Sequence, residues 1–125
     1  MSSYNCHVYI ENDTANTLYL SGTPIAKGGS YVTNPPAQIN RSTIVHFEMT
    51  DGFHHGPEGQ CSYQTQGPDG VTETFTISYC CARYGHNYAD GSFNQPSTDL
   101  SLVMIPNPLP VGDHPVYVKF VVSQL

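Results

Sequence analysis

The 125-residue chain has no tryptophan and few charged residues, and this shortage of charge excludes some classes of function. Charged side chains make up 11% of the sequence, with four basic residues against ten acidic ones and a formal net charge of −6. A protein that follows a phosphate backbone needs a basic surface, so this balance argues against a nucleic-acid partner. It also argues against purely electrostatic attachment to anionic lipid.

The sequence also lacks a hydrophobic run of the roughly 18 residues that a membrane-spanning helix needs. The N-terminal segment MSSYNCHVYIENDT has neither the basic region nor the apolar region of a signal peptide. We therefore expect a soluble chain that is released or secreted by a non-classical route. In that setting the four cysteines, Cys6, Cys61, Cys80 and Cys81, are expected to be reduced, with Cys6 and Cys61 buried. A disulfide from Cys61 to one of the adjacent pair remains an alternative.

What the sequence has is an alternation of apolar and polar residues with a period of two, which indicates β-strands and argues against helices. In CHVYIE, for example, Cys6, Val8 and Ile10 share one face. Strands are predicted near residues 6–11, 17–21, 43–49, 60–66, 72–80, 99–105 and 115–123, with a shorter one in SYVT. The prediction is an all-β fold, a single antiparallel β-sandwich domain over residues 1–125 with about eight or nine strands.

Glycine and proline mark the turns and loops between these strands. The clearest local prediction is a hairpin whose turn is GPDG, residues 67–70. Two other segments are predicted to be loops, GTPIAKGG at residues 22–29 and ARYGHNYADGSF at residues 82–93. In the segment TDGFHHGPEG, we expect Gly52, Gly56 and Gly59 to adopt positive φ angles.

The ionisable residues form no recognisable catalytic or metal-binding motif. His54 and His55 are adjacent, so on an extended backbone they point apart. A zinc site there would need further ligands, such as His46, His86 or Glu58, and no C-x-x-C or H-x-x-x-H spacing is present. The nucleophile motif G-x-S-x-G is also missing. We therefore predict no catalytic residues, no metal and no cofactor, with a hydrolase as the least favoured alternative.

Three segments carry a resemblance to a known family. They are V-x-I-x-N-x-T-x-x-T-L-x-L over residues 8–20, K-G-G-S-Y…P-P-x-x-I over residues 27–39, and F-E-M-T-D-G-F-x-x-G-P-E-G-x-x-x-Y over residues 47–63. In order and spacing they resemble the aegerolysins, especially the small aegerolysin-type component of bacterial binary insecticidal crystal toxins. The resemblance covers about residues 6–95.

The resemblance implies a β-sandwich without enzymatic activity that acts in cytolysis or insecticidal pore formation. The partners that it implies are a membrane lipid or a cell-surface receptor, a larger pore-forming protein, and further copies of the chain. The alternative is a lectin-like sandwich that binds carbohydrate or protein without membrane activity, because tyrosine, asparagine and aspartate in loops suit that function equally well.

Recognition in a sandwich is expected to lie in loops, and two loops combine aromatic rings with glycine, asparagine or histidine. The predicted ligand- or membrane-binding residues are Phe53, His54 and His55 in the first loop and Tyr84, Tyr88 and Phe93 in the second. Aromatic rings with a polar tip suit the boundary between lipid and water. Two structural alternatives stay open, in which Phe53 closes the end of the core and the other aromatic rings fold back on the sandwich.

Overall fold

The computed structural model describes residues 4–53, 55–97 and 99–125, and all regular structure in these ranges is β. The strands are β1 (Cys6–Asp13), β2 (Leu18–Leu20), β3 (Ile25–Gly28), β4 (Ser30–Thr33), β5 (Gln38–Ile39), β6 (Thr43–Thr50), β7 (Glu58–Gln66), β8 (Thr72–Cys80), β9 (Tyr88–Phe93), β10 (Leu100–Ile105) and β11 (Val116–Gln124). They form two sheets that pack as a sandwich, which confirms the predicted fold class. The described part of the chain contains no helix long and apolar enough to cross a membrane.

The first sheet has five strands in the order β10-β11-β1-β6-β4. β1 lies at its centre and pairs with β11 in parallel and with β6 antiparallel. The residues of β1 alternate between buried and partly exposed, because one face of the strand meets the core and the other faces outward. The outward face of this sheet therefore combines residues that are remote in sequence.

The second sheet has the order β5-β2-β7-β8-β9, and β3 also pairs with β7. Its centre is the predicted hairpin of β7 and β8, closed by the turn at residues 67–70. Gly70 has a φ of +81°, and its N–H donates to the carbonyl of Gly67 at 2.9 Å. The hairpin prediction is confirmed, and glycine supplies the left-handed conformation that this turn requires.

The core between the sheets is built from the apolar faces that the alternation predicts. Its fully buried large side chains are Val8, Ile10, Leu18, Ile39, Phe47, Met49, Tyr63, Phe75, Ile77, Tyr79, Val118 and Phe120. The two sheets are also joined by a polar contact, because the hydroxyls of Tyr31 on β4 and Tyr79 on β8 lie 2.7 Å apart. Tyr31 in turn donates to the carbonyl of Ile25 at 2.8 Å.

All four cysteines are free and buried. The predicted burial of Cys6 and Cys61 is thus confirmed. Burial raises the pKa of the Cys61 thiol to about 12, and hydrogen bonding to Tyr79 opposes this rise.

Two segments that we predicted to be loops contain strands, and this is one reason why the described chain has eleven strands rather than eight or nine. In GTPIAKGG, β3 is an exposed strand held by its backbone pairing with β7, so it has no apolar alternation to reveal it. In ARYGHNYADGSF, residues 88–93 form β9. A Cβ at Gly91 would lie 3.0 Å from Phe120, so glycine allows this strand to approach the core closely.

Candidate functional site

The hinge loop at residues 51–57 connects β6 in the first sheet to β7 in the second. The N–H of Gly52 donates to the carbonyl of His55 at 2.8 Å, which closes a tight turn. Phe53 lies on this turn with 90% of its surface exposed, so the alternative in which it closes the core is wrong. The predicted site residue His54 lies outside the described residues.

The loop at residues 81–87, between β8 and β9, packs directly on the hinge loop. The N–H of Cys81 donates to the carbonyl of Pro57 at 3.0 Å. A Cβ on Gly56 would lie 2.2 Å from the Cys81 carbonyl oxygen, so this position needs glycine for close backbone contact. The prediction of positive φ at Gly52, Gly56 and Gly59 is wrong, since the glycines with positive φ are Gly22, Gly29, Gly70 and Gly85. Glycine is required at position 56 because the backbones of the two loops are in close contact there, and not because of a left-handed conformation.

Asn87 fixes the shape of the second loop from inside. Its side chain is buried, accepts from the N–H of Ala82 at 2.9 Å and donates to the carbonyl of Asp113 at 2.5 Å. Its own N–H donates to the carbonyl of Val111 at 2.9 Å. These contacts tie the 81–87 loop to the segment between β10 and β11. Sequence reasoning missed Asn87 because its partners are backbone groups of remote residues.

An open cleft of about 260 Å³, which we call the main cleft, lies beside the two loops. Its main side chains are His55, Glu58, Cys80, Arg83, Tyr84 and Tyr88. The cleft therefore combines one guanidinium, one carboxylate and two phenol rings with the imidazole rings of His55 and His86. Such a set can hold a small polar group that carries both a negative and a positive charge.

The charged groups of the cleft are oriented by neighbours. Tyr88 donates its hydroxyl hydrogen bond to Glu58, whose other carboxylate oxygen lies 3.9 Å from the His55 ring. Burial and the adjacent Glu58 carboxylate both raise the pKa of Tyr88, so this phenol stays protonated and remains a donor. Arg83 lies 3.6 Å from the carboxylate of Asp51 and 5.6 Å above the ring of Tyr4.

The structure brings four of the six predicted site residues to one end of the sandwich, namely Phe53, His55, Tyr84 and Tyr88. Tyr84 is 80% exposed and Tyr88 is 43% exposed. Phe93 does not join them, because it ends β9 and its ring packs edge-on against Phe75 with centroids 5.9 Å apart. The prediction of a loop position is therefore wrong for both Phe93 and Tyr88, which lie at the two ends of β9.

Sequence reasoning missed the ion pair between Arg83 and Asp51, which joins the two loops. Arg83 and Asp51 belong to two different predicted loops, 32 positions apart, and only the packing of these loops brings them together. The sequence gives no signal for these contacts.

A second cleft, of about 450 Å³, lies on the second sheet and contains no ionisable group other than a tyrosine. Its lining is formed by Asn16, Thr17, Tyr19, Gln64, Thr65, Gln66 and Thr72. Tyr19 is paired with Gln64 across β2 and β7 and is about half exposed. We call this the neutral groove.

A cysteine and a histidine also meet near the main cleft. Sγ of Cys81 lies 3.2 Å from Nδ1 of His114. Burial raises the pKa of the Cys81 thiol to about 11, so the thiol is protonated at neutral pH. Because the thiolate is the nucleophilic form, this pair is not arranged as an activated nucleophile.

No protein-family model and no curated protein sequence matches the chain. Solved structures do match it. The lipid-binding protein Nakanori has a TM-score of 0.73 at 13% identity, covering 95% of this chain and 70% of Nakanori.

Two further structures are similar over more of their own length. RahU, in complex with a TRIS molecule, has a TM-score of 0.68 at 10% identity and covers 100% of this chain and 98% of RahU. IP-1A from Alcaligenes faecalis has a TM-score of 0.67 at 11% identity and covers 96% of this chain and 90% of IP-1A. These likenesses show that the chain shares its fold with these three proteins.

Proposed function

We propose that the chain is a non-enzymatic protein that binds membrane lipid at the end of the sandwich formed by the hinge loop and the 81–87 loop. The observation that carries this proposal is the placement of Phe53 and Tyr84. These rings are 90% and 80% exposed and belong to two loops in direct contact beside a cleft of mixed charge. The lipid binding of the structurally similar Nakanori supports it.

The physical basis is a division of roles between the rings and the cleft. Phe53 and Tyr84 enter the interfacial region of the bilayer, where aromatic rings are favoured. If each ring buries roughly 80 Å² at about 25 cal/mol per Å², each contributes about 2 kcal/mol before ordering costs. Arg83 faces the phosphate of a headgroup, and Glu58 faces its ammonium group. A zwitterionic headgroup is therefore the expected ligand, and the net charge of −6 disfavours anionic lipid.

The test is flotation with vesicles of phosphatidylcholine, phosphatidylethanolamine, sphingomyelin or phosphatidylserine. The double variant Phe53→Ala/Tyr84→Ala is expected to bind zwitterionic vesicles more than about tenfold more weakly. Tyr19→Ala is the matched control, because it removes an exposed tyrosine from the second sheet and is expected to leave vesicle binding unchanged. Undiminished binding by a folded double variant would refute the proposed surface.

A second variant separates headgroup recognition from ring insertion. Glu58→Gln removes the negative charge of the cleft and leaves both exposed rings in place. It is expected to weaken binding to zwitterionic vesicles and to reduce the discrimination against phosphatidylserine. Identical headgroup preference in Glu58→Gln and in the unmodified chain would exclude the cleft as the headgroup site.

The resemblance to the aegerolysins supports a finer proposal, in which the bound chain recruits a larger protein that forms a pore. The same resemblance offers a cell-surface receptor as the alternative target, and it is compatible with self-association of the chain on the membrane. The chain alone is expected to bind dye-loaded vesicles without releasing the dye. Release is expected only when the larger pore-forming partner is added. Full release by the chain alone would contradict a requirement for the partner.

A second candidate function is carbohydrate binding in the neutral groove. Amide and hydroxyl groups beside one half-exposed tyrosine ring match the alternating polar and apolar faces of a sugar. A glycan array probed with the unmodified chain and with Tyr19→Ala tests this function. Binding that is lost in Tyr19→Ala and retained in Phe53→Ala/Tyr84→Ala assigns it to the groove, and an array without any bound glycan excludes it.

A further inference from the structure

The outward face of the first sheet carries a cluster of metal-ligand side chains that the proposed lipid site does not use. His7 lies on β1, and His46 and Glu48 lie on β6. In the antiparallel register His7 is opposite Glu48, and Tyr9 is opposite His46. Since side chains alternate along a strand, all three ligand-type side chains stand on the same outward face.

The ligand atoms of this cluster are close together. Nδ1 of His7 lies 3.0 Å from Nε2 of His46, and Nε2 of His7 lies 3.9 Å from a carboxylate oxygen of Glu48. One ligand atom from each of the three residues lies within 4.8 Å of the others. In a tetrahedral zinc site with bonds of about 2.0–2.1 Å, ligand atoms are about 3.3 Å apart. Rotation of the side chains, chiefly of the exposed His46, is needed to bring the ligand atoms to this distance.

Neighbouring groups restrict the conformations of these side chains. The ring of His7 is stacked on Tyr117 of β11, with centroids 4.7 Å apart and an interplanar angle of 7°. The ring of His7 is also stacked on the ring of His46, with centroids 5.2 Å apart and an interplanar angle of 17°. The side-chain amide of Asn5 donates to Glu48. Supporting contacts of this kind hold metal ligands in place, so His7 and Glu48 are the more fixed members of the cluster.

We propose that His7, His46 and Glu48 form a binding site for a divalent transition-metal ion of the zinc type. Two imidazole nitrogens and one carboxylate oxygen are a ligand set that zinc accepts, with water in the fourth position. The fourth position is open to solvent because His46 is exposed on the surface of the sheet. The site is distinct from the main cleft, which contains none of these three residues.

Isothermal titration of the purified, untagged chain with zinc chloride tests the site. One equivalent of zinc is expected to bind with a dissociation constant in the micromolar range or below. His46→Ala is expected to weaken this binding at least about tenfold, since it removes one of three protein ligands. His46 is exposed, so the variant is expected to remain folded.

Two control variants separate this site from other histidines. His114→Ala removes the histidine beside Cys81, and His86→Ala removes a histidine of the main cleft. Both are expected to bind zinc as the unmodified chain does. The proposal is overturned if the unmodified chain binds no zinc, or if His46→Ala binds it with unchanged affinity.

Nuclear magnetic resonance gives a readout that does not depend on the variants. Zinc is expected to shift the imidazole signals of His7 and His46 before those of any other histidine. Shifts confined to the other histidines would also overturn the assignment. Neither measurement uses lipid, so failure of the metal site and failure of the lipid site are distinguishable.

Discussion

Tyr88 and Glu58 are joined by a hydrogen bond that spans the width of β8. Both residues are paired with Cys80, Glu58 from β7 on one side and Tyr88 from β9 on the other. The bond therefore connects two strands that are not neighbours in the sheet, roughly 10 Å apart at their backbones. It also fixes the carboxylate on one wall of the main cleft.

Tyr88→Phe removes this bond and keeps the ring. We expect the free energy of unfolding to fall by about 1 kcal/mol, the usual net value of one hydrogen bond. Urea denaturation measures the change. Tyr84→Phe is the matched control, because Tyr84 is far more exposed and its change is expected to stay within about 0.5 kcal/mol. Equal losses in the two variants would show that the bond to Glu58 contributes nothing specific.

Gly56→Ala tests the contact between the two loops that form the cleft. The added Cβ would lie 2.2 Å from the Cys81 carbonyl oxygen and 2.8 Å from the nitrogen of Arg83, so the loops must separate. We expect a loss of about 2–3 kcal/mol in urea denaturation and weaker vesicle binding. The control is Gly112→Ala, where a Cβ meets no atom within 4 Å and the change is expected to be below about 1 kcal/mol. Two variants of equal stability would contradict the close contact.

The strands that bury one face were predictable from the sequence, and those held by other means were not. In β1, β6 and β11 most of the alternate residues are apolar, because their side chains fill one core. Short edge strands such as β3 are held by backbone hydrogen bonds alone, so their sequences need no alternation of apolar and polar residues. In β9 the residues that approach the core include Gly91, so the strand looks like a turn in sequence.

In the candidate sites, too, some features follow from the local sequence and others depend on tertiary packing. The choice of Phe53 and Tyr84 as surface candidates follows from their polar, glycine-rich neighbours, which cannot form a buried strand. The contact of Arg83 with Asp51 depends on the packing of two loops. The cluster of His7, His46 and Glu48 depends on strand order, because the sequence alone does not reveal that β1 pairs with β6. The local pattern thus identified these rings as surface candidates but left their exposure open, and the contacts between charged groups depended on tertiary packing.

The buried cysteines predict how stability changes at alkaline pH. The pKa of the Cys61 thiol rises from its ordinary value of 9.0 to about 12 through burial. Above pH 9 the unfolded chain therefore loses the thiol proton while the folded chain keeps it, which favours unfolding. The contribution is fully present below pH 9 and is lost as the pH rises toward 12. Urea denaturation is expected to show decreasing stability between pH 8.5 and pH 10.5.

Cys61→Ala identifies the share of this effect that belongs to Cys61. Because alanine cannot ionise, the free energy of unfolding of this variant is expected to decline less steeply with pH than that of the unmodified chain. The variant is also expected to be less stable at neutral pH, because the substitution leaves a small cavity. A bulky thiol reagent provides the independent measurement, since the four buried cysteines are expected to react slowly in the folded chain and rapidly in urea. Rapid native labelling of all four, or an identical pH slope in Cys61→Ala, would refute the burial on which this prediction rests.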